Sequence, residues 1–218
     1  ASINNNGFVT SVGAGTTTFQ FTQTSTGCSS DISPTLTING KPVVSITGDT
    51  ILCVGEISQA SALEAGTWTS SNVSTATINN NGVINASGPG LVSFTFTSSA
   101  TGCSSLPTKT ILVNPNPTTS VDGPSAICLN ATTQLNPASG GVWTSLNPLV
   151  AVVNSAGLVT GISQGQTNFA YTDSYTGCSS IVAQPIIVYG KPNAQITGPK
   201  NICIGATTTL QPTSVVFW

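Results

Sequence analysis

GTWTSSNVSTATINNNGVINASGPGLVSFTF (residues 66–96) is followed 75 positions later by GVWTSLNPLVAVVNSAGLVTGISQGQTNFAY (residues 141–171). Apolar and polar residues alternate in both stretches, and Asn, Gly, Ser and Pro separate the alternating runs. Alternation with a period of two predicts half-buried β-strands, and the intervening residues predict tight turns. The NNNG of residues 79–82 predicts a β-hairpin, because Asn-Gly between two such runs is a strong hairpin signal.

The same period extends over the whole chain. The pentapeptide TGCSS begins at Thr26, Thr101 and Thr176, which are 75 residues apart. The tryptophans keep the same spacing, at Trp68, Trp143 and Trp218. Repetition at this length indicates tandem structural modules, so the repeat defines the domain organisation.

Prolines at the equivalent positions 42, 117 and 192 indicate short, stiffened linkers between these modules. We therefore expect a window onto a longer array. Its parts are the C-terminal half of a module (residues 1–40), two complete modules (residues 41–115 and 116–190) and the N-terminal part of a further module (residues 191–218).

The strand signals are dense within one module. Over residues 118–190 they predict strands near 119–122, 126–129, 131–135, 141–144, 150–154, 157–160, 166–172 and 182–188. Short antiparallel strands in this number predict a small all-β sandwich with a 75-residue period. The aromatic pairs of FQF, FTF and FAY each share one strand face, so they are predicted to lie in the core.

The repeated tryptophans have two explanations. Exposed indole rings would favour sugar stacking, whereas buried ones would lie on a central strand against the sandwich core. We predict that Trp68, Trp143 and Trp218 are core residues, because the module has few other large side chains to fill its centre.

Composition excludes several kinds of function. The chain carries four basic and six acidic residues and no histidine, so it lacks the clustered cations that nucleic-acid binding requires. Its apolar runs are far shorter than the roughly 18 residues that cross a membrane, and we expect no membrane insertion in this segment.

Internal repetition also tests for catalytic or metal sites, since a site used by each module should recur. No acidic residue does: Asp49, for example, corresponds to Pro124 and Pro199. Without recurring carboxylates or any histidine, we expect no catalytic residue, no metal site, no cofactor and no enzyme activity in this window.

The six cysteines predict disulfides in an oxidising compartment. Pairing within modules, as Cys53–Cys103 and Cys128–Cys178, would stabilise by roughly 4 kcal/mol per bond, against roughly 3.5 kcal/mol for the sequential pairs Cys28–Cys53 and Cys103–Cys128. That difference does not decide between them, and a third scheme, Cys53–Cys178, would link successive modules. We predict the pairs within modules, with Cys28 and Cys203 bonded to partners outside the window.

The two opening stretches resemble the bacterial immunoglobulin-like (Ig-like) group 2 pattern. Its elements occur in order: a Trp-(Thr/Ser)-Ser-x-Asn strand, a Val-Ala-x-Val strand, a Gly-x-(Val/Ile) hairpin and a Gly-x-Thr-x-(Phe/Ile) strand. The added cysteines are similar to those of very long Bacteroidota surface proteins, including gliding adhesins exported by the type IX route. The resemblance implies tandem Ig-like modules that extend from a surface. It also makes Thr50, in Asp49-Thr50-Ile51, a candidate O-glycosylation site.

These observations predict a structural and adhesive segment of an extracellular filament or stalk on a bacterial cell surface. The expected partners are neighbouring modules of the same chain, other copies in a filament, or surface glycans. Two alternatives are carbohydrate-binding modules and spacer modules of a large secreted hydrolase. Exposure of Trp68 and Trp143 distinguishes the first alternative from the stalk, and the full-length gene tests the second.

Overall fold

A computed structural model describes residues 1–212. The described residues form β-strands, turns and irregular segments, and no helix occurs among them. The chain divides into two compact units, Ala1–Pro115 and Asn116–Trp218. The predicted all-β class is therefore confirmed.

The first unit contains thirteen strands, most of them three to five residues long. They are β1 (Ser2–Ile3), β2 (Val9–Thr10), β3 (Gly15–Thr17), β4 (Leu36–Ile38), β5 (Val44–Ile46), β6 (Ile51–Cys53), β7 (Ile57–Ala62), β8 (Gly66–Ser70), β9 (Ala76–Ile78), β10 (Val83–Ala86), β11 (Gly90–Val92), β12 (Phe94–Ser98) and β13 (Ile111–Asn114).

The strands described in the second unit are β14 (Ser120–Asp122), β15 (Ala126–Cys128), β16 (Thr132–Asn136), β17 (Gly141–Ser145), β18 (Ala151–Val153), β19 (Leu158–Gly161), β20 (Gly165–Thr167), β21 (Phe169–Asp173), β22 (Ser179–Ile181), β23 (Ile186–Tyr189), β24 (Ala194–Ile196) and β25 (Leu210–Pro212). In this unit β14–β21 and β23 repeat the order of β5–β13, and β22 has no counterpart among the strands of the first unit.

In each unit a four-stranded sheet covers one face of the core. Its order is β5-β7-β10-β9 in the first unit and β14-β16-β19-β18 in the second. The opposite face is built from β11-β13-β6 and β12-β8 in the first unit, and from β15-β23-β20 and β17-β21-β22 in the second. The predicted hairpin at residues 79–82 is present, since β9 pairs with β10 across it.

One pair of strands in each unit is parallel, where the sequence predicted only antiparallel neighbours. β6 runs parallel to β13 in the first unit, and β15 runs parallel to β23 in the second. The reason is a change of sheet: β5 pairs antiparallel with β7 on one face, and the chain then crosses to the other face as β6. There it lies beside the last strand of the module, which runs in the same direction.

The strand predicted at 166–172 is two strands in the structure. β20 pairs with β23, whereas β21 pairs with β17, and Asn168 lies between them. The side-chain Nδ2 of Asn168 donates to the carbonyl oxygen of Val182 at 2.9 Å. The chain thus changes partner at Asn168 without a turn. The strand predicted at 182–188 begins later in the structure, as β23 (Ile186–Tyr189), and β22 (Ser179–Ile181) precedes the predicted range.

The core lies between the two faces and consists of alternating inward side chains. In the first unit Phe94 and Phe96 are 0% and 2% exposed. In the second unit Phe169 and Tyr171, at the equivalent positions, are also buried. The FQF pair behaves differently, because Phe21 is 69% exposed. Phe21 belongs to residues 1–40, which form only the two-stranded sheets β1-β2 and β3-β4. This segment has no four-stranded sheet that could cover the Phe21 side chain.

Asn130 shows how the sequence tolerates a local departure from the repeat. Gly55 and Gly205 occupy the equivalent positions and have φ angles of 95° and 84°. Asn130 takes φ 66° in the same turn. Asparagine is among the few side-chain-bearing residues that adopt this left-handed conformation readily, so the turn is retained.

Candidate functional site

The repeated tryptophans lie inside the modules. Trp68 is 9% exposed and Trp143 is 5% exposed. The Trp68 ring packs against Phe96 with ring centroids 5.1 Å apart, and the Trp143 ring packs against Tyr171 at 5.0 Å. Their faces are therefore occupied by protein, which argues against a sugar-stacking platform. Trp218 lies outside the described residues.

In the second unit both members of the aromatic pair, Trp143 and Tyr171, donate a hydrogen bond to a backbone carbonyl oxygen. The indole Nε1 of Trp143 donates to the carbonyl oxygen of Pro137 at 2.8 Å, and the Tyr171 hydroxyl donates to that of Ser139 at 2.7 Å. Burial, and secondarily the carboxylate of Asp173, raises the pKa of Tyr171, so the hydroxyl stays protonated and keeps donating.

The corresponding region of the first unit lacks the second of these hydrogen bonds. Phe96 replaces the tyrosine and has no hydroxyl to donate. A shallow cavity of about 310 Å³ lies there, lined by Glu64, Trp68 and Phe96 among others. The Glu64 carboxylate accepts a hydrogen bond of 2.6 Å from the Ser98 hydroxyl. Glu64 is exposed and is not repeated in the second unit, where Ser139 occupies the equivalent position.

One cysteine of each module lies where the chain leaves that module, here called the trailing end. Cys53 is the last residue of β6 and is paired in register with Asn114, the last residue of β13. Cys128 is paired in the same way with Tyr189, the last residue of β23. The parallel pairing places both strand cysteines at the trailing end.

The cysteine of each TGCSS turn lies at the opposite, leading end, where the chain enters the module. In the second unit the Asp173 amide donates to the carbonyl oxygen of Cys178 at 2.9 Å, and the Ser174 amide donates to that of Gly140 at 2.9 Å. The turn therefore lies beside the start of β17. In the first unit the Ser98 amide donates to the carbonyl oxygen of Cys103 at 3.0 Å in the same arrangement.

This geometry corrects the predicted disulfide pairs. Ser104, next to Cys103, bridges to Thr97, whereas Val113, next to Asn114, pairs with Gly90. The path from Thr97 back to Gly90 runs through two consecutive strands and covers about 20–25 Å at about 3.3 Å per residue. A disulfide requires Cα atoms within about 7 Å. The two cysteines of one module are therefore too far apart to be bonded.

The bonding state of the cysteines is consistent with this distance between the two ends of a module. Cys28, Cys103, Cys128 and Cys203 are free in the structure. The pairs Cys53–Cys103 and Cys128–Cys178 are accordingly not formed, and neither are the sequential pairs Cys28–Cys53 and Cys103–Cys128. Cys53 and Cys178 are disulfide-bonded. That Cys28 and Cys203 find partners beyond these residues stays a prediction.

Asp173 organises the TGCSS turn of the second unit. Its Oδ1 accepts hydrogen bonds from the Thr176 amide at 2.8 Å, the Thr176 hydroxyl at 3.0 Å and the Tyr175 amide at 2.9 Å. Donation by Thr176, and then by Tyr175, holds the pKa of Asp173 below its ordinary value. Because Asp173 corresponds to Gln23 and Ser98, the internal repeat does not mark it as a site residue, although Asp at the start of a turn is a known signal for such bonds.

We expect the stability of the second unit to depend on Asp173 through pH. A carboxyl with a lowered folded-state pKa stabilises the fold above its unfolded pKa of about 3.9, and that contribution is lost as the pH falls further. Asp173→Asn should flatten the decline in stability below about pH 4, as measured by urea denaturation at several pH values. Tyr175→Ala is the matched control: its side chain is 97% exposed and its amide is retained, so the original pH dependence should persist. An unchanged profile in Asp173→Asn would contradict this assignment.

No cluster of three or more His, Cys, Asp or Glu side chains that could hold a metal ion occurs among residues 1–212. Within the same residues no helix is long and apolar enough to span a membrane. Thr50, the candidate glycosylation site, is half-buried immediately before β6, and its carbonyl oxygen accepts from the Leu112 amide at 2.9 Å.

A comparison with known protein families identifies one of them. Residues 107–178, about a third of the chain, match the bacterial Ig-like domain (group 2). That segment is similar to a bacterial Ig-like domain. This match agrees with the two-faced, all-β architecture of both units, and it confirms the Ig-like fold expected from the sequence resemblance. No curated protein sequence matches the chain.

The solved structures that match the chain include the following three. One is a C-terminal 282-residue fragment of intimin in complex with the intimin-binding domain of its translocated receptor, with 14% identity, a TM-score of 0.44, and coverage of 72% of this chain and 67% of that one. Another is invasin, a bacterial integrin-binding protein, with 18% identity, a TM-score of 0.42, and coverage of 87% and 48%. The S-layer protein SbsC matches with 16% identity, a TM-score of 0.30, and coverage of 89% and 38%.

All three TM-scores lie below 0.5, so these likenesses give no information on function. The chain spans about half the length of invasin and about two thirds of the intimin fragment. What those whole proteins bind is therefore not transferred to this chain by similarity.

Proposed function

We propose that the chain is a structural and adhesive segment of a long bacterial cell-surface filament or stalk built of tandem Ig-like modules. The main support is that the packed core recurs from one module to the next. Trp68 and Trp143 are equivalent and buried, whereas no acidic residue of the chain has an acidic equivalent. A chain that repeats its core and its cysteines, and no acidic residue, functions through its length and its surface.

The finer parts of this proposal are the expected location and partners. The segment is extracellular, on a bacterial surface, with neighbouring modules, other copies or surface glycans as its contacts. The low charge of the chain fits a neutral, protease-resistant surface. The cysteine resemblance to Bacteroidota surface proteins supports gliding or attachment after type IX export.

Antibody labelling of intact cells tests the location. An antibody raised against the 218-residue chain should label unpermeabilised cells of the source bacterium, and protease treatment of those cells should remove the label. Deleting the coding sequence for residues 41–190 in frame should shorten the surface structure and reduce attachment. Label that appears only after permeabilisation would contradict the proposal.

The alternatives have separate readouts. Binding of the purified chain to a glycan array would favour carbohydrate-binding modules, although the buried Trp68 and Trp143 offer no stacking face. A catalytic domain elsewhere in the same gene would favour a spacer of a secreted hydrolase.

A further inference from the structure

The Trp68 side chain carries a hydrogen-bond donor that the protein does not use. The ring is 9% exposed, yet no group within residues 1–212 accepts a hydrogen bond from its Nε1, and the nitrogen is not sealed from solvent. In the second unit the equivalent Nε1 of Trp143 donates to the carbonyl oxygen of Pro137. Because a buried indole N–H usually has a partner, the Trp68 donor is one that only solvent or a ligand can satisfy.

This donor faces the shallow cavity of about 310 Å³ in the first unit. The residue equivalent to Pro137 is Ala62, which lines the cavity together with Trp68. Ala62 is the last residue of β7 and pairs with Val44, whereas β16 ends at Asn136, one residue before Pro137. Because the backbone of Ala62 is held in this ladder, its carbonyl oxygen does not turn toward the indole as that of Pro137 does. The Trp68 N–H is left directed at the cavity.

The cavity wall offers hydrogen-bonding groups of both kinds. The Glu64 carboxylate lines it, and its Oε2 accepts from the Ser98 hydroxyl at 2.6 Å. Among the described residues nothing donates to Oε1, which leaves this oxygen as an acceptor for a ligand. The exposed Asn80 and Asn81 line the cavity as well, and each of their side-chain amides can both donate and accept. The described lining contains no lysine, so Glu64 is its one charged residue.

The second unit replaces the polar residues of this lining. Ser139, Ser155 and Ala156 stand at the positions of Glu64, Asn80 and Asn81. Residues 116–190 are all described, and their equivalent positions carry neither a carboxylate nor an amide. The combination of an unused indole donor, a carboxylate and two amides is therefore specific to the module formed by residues 41–115.

The lining excludes several classes of ligand. An anion would be repelled by Glu64, because no lysine of the described lining balances that charge. A cationic amine has no acceptor and would leave the Trp68 N–H unsatisfied. An apolar group would remove water from the carboxylate without replacing the lost hydrogen bonds. A ligand for this cavity must be neutral and must both donate and accept.

Hydroxyl groups meet that requirement. A hydroxyl has one donor and two acceptor lone pairs, so neighbouring hydroxyls on one ring can donate to Glu64 and accept from Trp68 at the same time. The cavity has the volume of about ten water molecules, at about 30 Å³ each, which is room for one sugar ring.

We propose that this cavity binds one neutral sugar unit of a surface glycan, through the edge of Trp68 and not its face. Nε1 donates to a sugar oxygen, the Glu64 carboxylate accepts from adjacent hydroxyls, and Asn80 and Asn81 bond to the outer hydroxyls. The inference rests on the proposed adhesive function, and it names the site and the ligand class of its glycan contact. Because it is one hydrogen-bonding site in one module, it differs from a stacking platform that recurs in every module.

Nuclear magnetic resonance of the ¹⁵N-labelled full chain observes the donor directly. The indole N–H groups of the tryptophans give separate cross-peaks, and D-glucose, D-galactose and D-mannose are titrated in turn. With at least one of these sugars we expect the Trp68 indole peak to move and saturate, with a dissociation constant of about a millimolar for so small a ligand. The Trp143 indole peak should stay in place, because its Nε1 already donates to Pro137.

Two variants test the role of the carboxylate. Glu64→Gln should weaken sugar binding about tenfold or more, since hydrogen bonds to a charged acceptor are about twice as strong as neutral ones. Asp49→Asn is the matched control, because it removes the same charge from an exposed side chain outside the cavity lining and should leave the affinity unchanged. D-glucuronate, which adds a carboxylate to the sugar ring, should leave the Trp68 peak in place.

Each of four results would overturn the proposal. They are a Trp68 peak that none of the three neutral sugars moves, equal movement of the Trp143 peak, movement of the Trp68 peak by D-glucuronate, and an affinity that Glu64→Gln leaves unchanged. All four are compatible with labelling of intact cells and with reduced attachment on deletion of residues 41–190. Failure of this site is therefore distinguishable from failure of the proposed function.

Discussion

Trp143→Ala is expected to unfold the second module. The indole is 5% exposed, packs on Tyr171 and donates to the carbonyl oxygen of Pro137. Truncating a buried tryptophan to alanine costs about 3–5 kcal/mol. A module of this size has a free energy of unfolding of about 4–11 kcal/mol, at about 0.05–0.15 kcal/mol per residue, so the substitution removes much or all of it.

Urea denaturation followed by far-UV circular dichroism measures this effect. The transition of the second unit should move to much lower urea, or vanish, while that of the first unit is retained. Val142→Thr is the matched control on the same strand, because the Val142 side chain is 59% exposed and points away from the core. A loss below about 1 kcal/mol in Trp143→Ala would contradict a core role for the indole, since values that small are typical of surface sites.

Gly141→Ala is expected to be as damaging, for a steric reason. A methyl group on Gly141 would collide with the carbonyl oxygen of Thr172 and would lie 2.5 Å from Cζ of Tyr171. Gly141 pairs with Asp173 across the β17–β21 ladder, so the backbone cannot move aside without losing that pairing. Because backbone is the obstacle, we expect a loss of at least about 3 kcal/mol, the upper range for overpacking.

The same denaturation measurement tests this substitution. Gly190→Ala serves as the control, because its new methyl group would meet only the end of the flexible Gln164 side chain, with Oε1 at 3.3 Å and Cδ at 3.8 Å. That variant should unfold at the original urea concentration. If Gly141→Ala did so as well, the close approach of β17 to β21 would be wrong.

The features that sequence predicted are those encoded locally. Burial of Phe94 and Phe96 follows from their positions two residues apart on one strand, which places both side chains on the same face. The hairpin at residues 79–82 follows from a turn signal between two alternating runs. Both depend only on near neighbours in the chain, and local patterns carry that information.

The features that sequence missed depend on which sheet a strand joins. Alternation continues through Ser93 and through Asn168, although the pairing partner changes at both positions. A period of two specifies an inward face and carries no information about the neighbouring strand. The parallel pairing of β6 with β13 is hidden for the same reason, and the wrong disulfide prediction follows from it.

That parallel pairing has a mechanical consequence. The chain enters the module on the β5–β6 side and leaves it through β13, and β6 and β13 are neighbours that point in the same direction. When tension pulls the two ends of a module apart, β6 is drawn one way and β13 the other. Their hydrogen bonds, including Val54 N–H to the Asn114 carbonyl at 3.1 Å, are then loaded together in shear instead of being opened one at a time. The parallel pair of first and last strands thereby makes each module resist extension, because its hydrogen bonds must break together.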